Sequence, residues 1–442
     1  MNQNFLLFNN KQLFTLIWPL LVDQLLTVFV GMVDVLMVAC VGESAVSGVS
    51  LVDSINILVI QILFALTSGG TVVCAQYIGA KDSKRAGCTT AQLIFLTLIG
   101  TGIITLIFLI GRNSILKLIF GKVDITVLDN ASIYMLITTM SFPFLAIYNS
   151  GAAAFRAIGN TRLSMLISLF MNVINISGNA FCIFILKMGV AGVALPTLIA
   201  RAIGAILILG ILQMQKTDAS IHSIKDFIPN FSIIKRILSI GVPSGIESGI
   251  FQLGKLMLQS LVATLGTASI AGYAVASNLV TYLYLPGNAL GAANLTVVGQ
   301  CYGAGKTDQA KYYTKIMLFL NYAILIVICT VMLIGKSFFV SCYNLSAESS
   351  KLAEGLLFIH TVAMILWPIG FLIPYYFRAI GKSTFTMIIA IFAMWTFRIG
   401  FAYIFIKVLH MNVLGIWYAM FFDWIFRAII YTIAFKFQKI SK

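Results

Sequence analysis

Long uncharged stretches constrain this chain more than any other feature. Read from charge to charge, they run Ser54 to Ala80, Ala86 to Gly111, Asn130 to Phe155, Leu163 to Leu186, Ile316 to Gly335 and Gly355 to Phe377. Each matches the roughly 20 residues that a helix needs to cross a hydrocarbon core. Six further spans, at about 13–39, 188–213, 237–264, 271–299, 384–406 and 413–435, carry an internal charge or abut a neighbour, which brings the expected count to twelve. A membrane barrel would show short alternating segments instead. Hydrophobic residues make up 60% and charged residues 10% of the 442, against about a quarter charged in soluble domains. An all-α integral membrane protein follows, with the lipid bilayer as its solvent.

The net charge of +15 would suggest nucleic acid in a soluble protein, but here placement explains it, and no nucleic-acid partner is expected. If the first span starts in the cytoplasm, eighteen Lys and Arg fall on that side, among them Lys81, Lys84, Arg85, Lys216, Lys439 and Lys442. Seven fall opposite: Arg112, Lys117, Lys122, Lys187, Lys336, Lys351 and Lys407. The positive-inside rule then puts both termini in the cytoplasm, with no cleavable signal peptide ahead of the first span. The seven cysteines are scattered without metal-type spacing, and they read as helix-packing residues. No metal site is expected.

The chain also repeats itself. At an offset of 224, Pro19 falls on Pro243, Gly42 on Gly266, Gly48 on Gly272, Gln76 on Gln300, Gly79 on Gly303 and Ala86 on Ala310. After small gaps, Phe155-Arg156-Ala157-Ile158-Gly159 meets Phe377-Arg378-Ala379-Ile380-Gly381, and Gly192 meets Gly415. Repeats with an even number of spans have parallel topology, so two six-helix lobes are expected, at 1–213 and 232–442, joined by a cytoplasmic linker at 214–231. Duplicated transporters place their substrate between the repeats and alternate access by rocking one bundle against the other.

Nine ionisable residues fall in or near the hydrocarbon layer: Asp23, Asp34, Asp53, Arg201, Glu247, Lys255, Arg398, Asp423 and Arg427. Each costs roughly 2.5–3.5 kcal/mol at a bilayer centre, so they are expected to face a bundle interior or water. Asp23 and Glu247 are repeat mates, each four residues after a proline, which suits a shared architectural role. Asp423 and Arg427 are one turn apart and can pair with each other. Asp53 reads as an acid near the start of its span, stabilised by the helix N-terminus.

Asp34 differs from all of these. Its mate is Leu258, and no basic residue lies within two turns of it. Apolar surroundings favour the neutral form of a carboxyl group, so Asp34 is expected to exchange a proton near physiological pH if water reaches it. Asn172, Asn175 and Asn179 form a polar stripe on the fifth span, suited equally to helix packing and to ion coordination. In the second half, Lys255 and Arg398 suggest an acid–base network with Glu247 or Asp423.

Several motifs, taken in order, carry a family resemblance. They are Trp18-Pro19-Leu20, Gly31-Met32-Val33-Asp34 leading into Val41-Gly42-Glu43-Ser44-Ala45-Val46, and Gly241-Val242-Pro243-Ser244-Gly245-Ile246-Glu247. Val298-Gly299-Gln300 with Gly303-Ala304-Gly305, Gly415-Ile416-Trp417, and Asp423-Trp424-Ile425-Phe426-Arg427 complete the set. Over nearly its whole length the chain resembles the multidrug and toxic compound extrusion family, DinF-like rather than NorM-like at its coupling site. The resemblance implies a V-shaped pair of six-helix lobes exporting small, cationic and often aromatic drugs or metabolites by antiport against H+ or Na+, as a monomer without a cofactor. It assigns ion coupling to Asp34 with Asn175, Asn179 and Thr197. Asn179 departs from the pattern, standing where the family often has a second carboxylate; a lost anionic oxygen weakens a sodium site more than a protonation site. Glu247 lies nearer its proline than the acid of the family's other coupling scheme, and the tenth span has only Glu354 at its entrance.

Two rival functions are distinguishable. A lipid-linked saccharide flippase of related fold would use Lys255, Arg398 and Arg201 to bind pyrophosphate. A membrane-embedded enzyme is remote: His222 and His410 fall in loops, His360 stands in the tenth span, and neither a HExxH cluster nor a phosphate loop is present.

Overall fold

The computed structural model describes residues 6–121, 123–215, 217–221 and 223–438. Of the charges and histidines used above, Lys122, Lys216, His222, Lys439 and Lys442 lie outside the described residues. Among the described residues, twelve long helical stretches follow one another. In the first half they are α1 (Asn10–Ala39), α2 (Glu43–Gly79), α3 (Ser83–Phe120), the bent pair α4 (Ile125–Met140 and Phe142–Ile158), α5 (Thr161–Ile185) and α6 (Ala191–Met214). In the second half come α7 (Phe231–Ala263), α8 (Thr267–Gly303), α9 (Thr307–Ser341), the bent pair α10 (Ala347–Ala363 and Trp367–Ala379), α11 (Ser383–Val408) and α12 (Leu414–Phe437). Eight are long and apolar enough to cross a membrane alone, and the two pairs, bent by 43° and 53°, raise this to ten. The remaining two, α7 and α8, have the length at 33 and 37 residues. The charges of α7 and the amides and glycines of α8 lower their hydropathy.

The repeat is carried by backbone geometry. Gly42 and Gly266 precede α2 and α8 with φ of +135° and +91°, a region that a side chain disfavours. Their neighbours Gly48 and Gly272 are contact points. A Cβ on Gly48 would stand 2.9 Å from the Val127 carbonyl of α4, and one on Gly272 2.9 Å from the Ser349 carbonyl of α10. Both halves also end their fifth helix in a π-helical turn, Phe181–Ile185 and Ile404–Val408. A difference is visible in length: α5 has 25 residues and α11 has 26. The π-helical stretch Met394–Gly400 in α11 accommodates the extra residue, because an i→i+5 hydrogen bond encloses one more residue per turn.

The chain divides into two compact units, 1–242 and 243–442. The boundary falls inside α7 just before Pro243, whose ring nitrogen cannot donate to the preceding turn. The polar segment after α6 packs onto the first unit. The Gln92 amide donates to the carbonyls of Asp226 at 2.6 Å and Ile228 at 2.8 Å, and its oxygen accepts from the Asn230 amide at 3.0 Å. Arg236 then donates to Tyr77 at 2.6 Å and Gln76 at 2.8 Å, fixing the start of α7 to the end of α2.

Candidate functional site

Within the first unit, α1 packs along α5, and α5 along α6. The Thr161 hydroxyl at the start of α5 donates to the Leu16 carbonyl at 2.8 Å, which sets the register of the first pair. That register brings together the four residues assigned to coupling. The Asn179 amide donates to Asp34 Oδ1 at 2.8 Å and lies 3.4 Å from Asn175 Oδ1; the Asn175 amide donates to the Thr197 hydroxyl at 2.9 Å. Thr197 donates in turn to the Val193 carbonyl at 3.2 Å. A continuous chain of hydrogen bonds thus runs from a carboxylate near the end of α1, across α5, to α6.

Burial grades along this chain. Asn179 is fully buried and Asn175 is 7% exposed, whereas Asp34 is half-buried. Asn179 Oδ1 is buried with no hydrogen-bond partner among the described residues. An amide can donate to a carboxylate and, turned over, accept from a carboxylic acid, so Asn179 suits both protonation states of its neighbour.

Three residues that sequence reasoning left outside the site adjoin it. Asp53 and Arg201 act electrostatically on Asp34, and Tyr134 donates to Asp53 at 3.2 Å. Asp53 is not an N-terminal acid: α2 begins at Glu43, so Asp53 stands three turns inside and accepts also from Asn56 at 3.2 Å. Reading from charge to charge had started the span too late, because a long helix tolerates a hydrogen-bonded carboxylate in its interior. Arg201, one turn after Thr197 on α6, donates to Ser141 at 2.6 Å. Asp34 lacks a basic neighbour only on its own helix.

The second unit is built otherwise. Leu258, the mate of Asp34, is 4% exposed and belongs to the apolar core. Glu247 pairs with Arg378 of α10 at 2.7 Å, not with Lys255 or Arg398 as the sequence suggested, since it lies two turns earlier on α7. Its repeat mate Asp23 lies within electrostatic reach of Arg156, which is the mate of Arg378. The two acids therefore keep repeat-equivalent arginine partners. Asp423 accepts from Arg427 Nε at 2.6 Å, the turn-to-turn pair expected, and Arg398 Nε approaches its other oxygen at 3.4 Å.

The order of elements, the repeat and the position of Asp34 can now be set beside known proteins. The MatE family model matches residues 19–181 and again 243–404, starting in each half at the repeat proline. The chain belongs to the MatE family. It is 26% identical over 418 residues to the Uncharacterized transporter YisQ of Bacillus subtilis, covering 93% of this chain and 90% of that one. It is 25% identical over 440 residues to the Probable multidrug resistance protein NorM of Thermotoga maritima, covering 98% and 93%. Among solved structures, the outward-facing conformation of a multidrug resistance MATE family transporter of the MOP superfamily superposes with a TM-score of 0.90 at 22% identity, covering 96% and 95%. The twelve helices are thus the MatE fold, and the chain is a multi-pass membrane protein.

Proposed function

We propose that this chain is a secondary active exporter of small organic compounds, coupled to proton entry through Asp34, working as a single chain by alternating access between its two repeats. Relatives named for multidrug resistance support export of more than one compound. The observation that carries the coupling site is the hydrogen-bonded chain from Asp34 through Asn179 and Asn175 to Thr197. It joins three helices through one titratable group, so a change in that group's charge alters the packing preference of all three.

Protons are favoured over sodium by the donor set. Asn179 turns nitrogen toward Asp34, and this DinF-like substitution removes the anionic oxygen that a sodium ion would use. Asp53, Tyr134 and Arg201 supply the surrounding field: Arg201 offsets a carboxylate, and Tyr134 and Asn56 hold Asp53 in place. Substrate release on the outer side would then alternate with proton entry from it. Both termini are placed in the bacterial cytoplasm by the Lys and Arg asymmetry.

Proteoliposomes test this directly. A panel of anionic, neutral and cationic aromatic dyes is loaded, and pH and sodium gradients are imposed separately. Dye movement should follow the pH gradient alone, and Asp34→Asn should abolish it. Equal gradient-driven transport by wild type and Asp34→Asn would remove Asp34 from the mechanism.

A further inference from the structure

The geometry points to a recognition site in the second unit for the anionic group, a carboxylate or phosphate, of the exported molecule, formed by Lys255 of α7 and Arg398 of α11. This rests on the reading of the chain as an exporter, and it departs from the cationic substrates that the family resemblance implies.

Charge pairing in the spans of the second unit is incomplete. Glu247 is taken by Arg378, and Asp423 is shared by Arg427 and Arg398. No carboxylate among the described residues lies within ion-pair distance of Lys255. Three cations, Lys255, Arg398 and Arg427, thus face one carboxylate in a region where an uncompensated charge is costly. The deficit is not spread evenly. Arg427 has the short contact with Asp423 and donates also to the Ala390 carbonyl at 3.1 Å. Arg398 has only the longer approach, and its buried Nε makes no hydrogen bond among the described residues. A guanidinium that were merely a counter-ion to Asp423 would hold the better geometry, and here Arg427 holds it.

The two under-partnered cations converge on one ring. Lys255 Nζ and Arg398 Cζ each lie 5.2 Å from the centroid of Phe251. Two like charges drawn to one ring repel each other, and an anion bound by both would offset that repulsion. Lys255 is exposed and Arg398 is 6% exposed, so the pair combines an accessible point charge with a buried planar fork. The fork stands in the π-helical stretch Met394–Gly400, where α11 holds the residue that α5 lacks. Irregular turns of this kind recur where a helix aims a functional side chain.

One turn beyond Lys255 on α7, Gln259 begins the wall of a cleft of about 240 Å³. Gln259, Tyr273 and Ser277 supply polar groups and Val262, Ala263 and Ile270 apolar ones. Neither cation lines the cleft, but Tyr273 of its wall lies within electrostatic reach of Arg398. An anionic head on the two cations with an apolar or aromatic body along the cleft fits this arrangement.

Equilibrium dialysis of the purified full-length chain in detergent, with no gradient applied, tests the assignment using fluorescein and rhodamine 6G, xanthene bodies of opposite charge. Fluorescein should bind more tightly, Lys255→Gln should weaken it about tenfold, and Lys255→Arg should retain it. Tighter binding of rhodamine 6G, or fluorescein binding unchanged in Lys255→Gln, would overturn the site. Arg398→Gln should weaken fluorescein likewise; if that variant fails to fold, the exposed Lys255 decides. Competition by undecaprenyl phosphate in nanodiscs would support the site and assign the anion to a lipid head group. Competition by soluble 2-naphthoate would support it and assign a free organic anion, whereas competition by neither would refute it. Because binding needs no gradient, failure of the Asp34 coupling leaves this result intact, and loss of anion binding leaves the coupling result intact.

Discussion

Asp34 and Asp423 show how one residue type takes two roles. Asp34 accepts from one amide in a half-open setting, which suits the proton exchange proposed for it. Asp423 is 1% exposed between two guanidiniums and stays where it is. Removing one partner of a buried ion pair typically costs about 3–5 kcal/mol. Asp423→Asn is therefore expected to lower the thermal unfolding temperature in detergent strongly and to reduce folded yield, whereas Asp34→Asn should unfold near the wild-type temperature and lose only gradient-driven transport. Thermal scans of both variants beside a transport assay separate the two cases. At Asn179, placing a carboxylate by Asn179→Asp adds an anionic oxygen next to Asp34; a sodium gradient, expected to be inert in wild type, should then begin to drive efflux. Continued indifference to sodium would show that the coordination sphere is limited elsewhere.

Among the elements, α2 and α8 are the clearest pair of repeat mates. Each starts after a glycine with positive φ and lays a second glycine, Gly48 or Gly272, against the first half of a bent helix pair. The atoms met there are backbone carbonyls, which cannot rotate away as a side chain end could. Gly48→Val and Gly272→Val should each destabilise the folded chain by about 1–3 kcal/mol, in the range of overpacking. Gly102→Val serves as a control, since a Cβ there would meet nothing within 4 Å. Thermal unfolding of the three variants checks this: equal midpoints would mean that the helices separate freely at those contacts. Symmetry breaks in α5 and α11. The first carries amides and the second an arginine on an added π-helical turn, so a duplicated scaffold came to hold unlike chemistry in its two units.

For the whole molecule, the distribution of Lys and Arg predicts the sidedness of every loop. Cys40 follows α1 and Cys342 follows α9; both are exposed, and both fall on the outer side if the termini are cytoplasmic. In a chain keeping only these two thiols, a membrane-impermeant maleimide should label intact cells, while Ser83→Cys, at the start of α3, should react only after permeabilisation. The reverse pattern would invert the topology, and proton entry at Asp34 would then have to proceed from the opposite face.

Sequence by itself determined the helical membrane class, the twelve stretches, the duplication and the asymmetric acid, because hydropathy and internal likeness are properties of residues taken along the chain. It also found the Asp423–Arg427 pair, whose partners are neighbours on one helix. It started α2 too late, since the absence of charge marks hydrocarbon depth and not where a helix begins. What only the tertiary structure decided is which faces meet. Asp53, Tyr134 and Arg201 come from three different helices to the neighbourhood of Asp34, Glu247 turns to Arg378, and Lys255 joins Arg398 on Phe251. Those meetings depend on the rotation and register of each helix against its neighbours, set by contacts such as Thr161 on Leu16 and by the extra residue in α11. Spacing along a single chain carries no record of them.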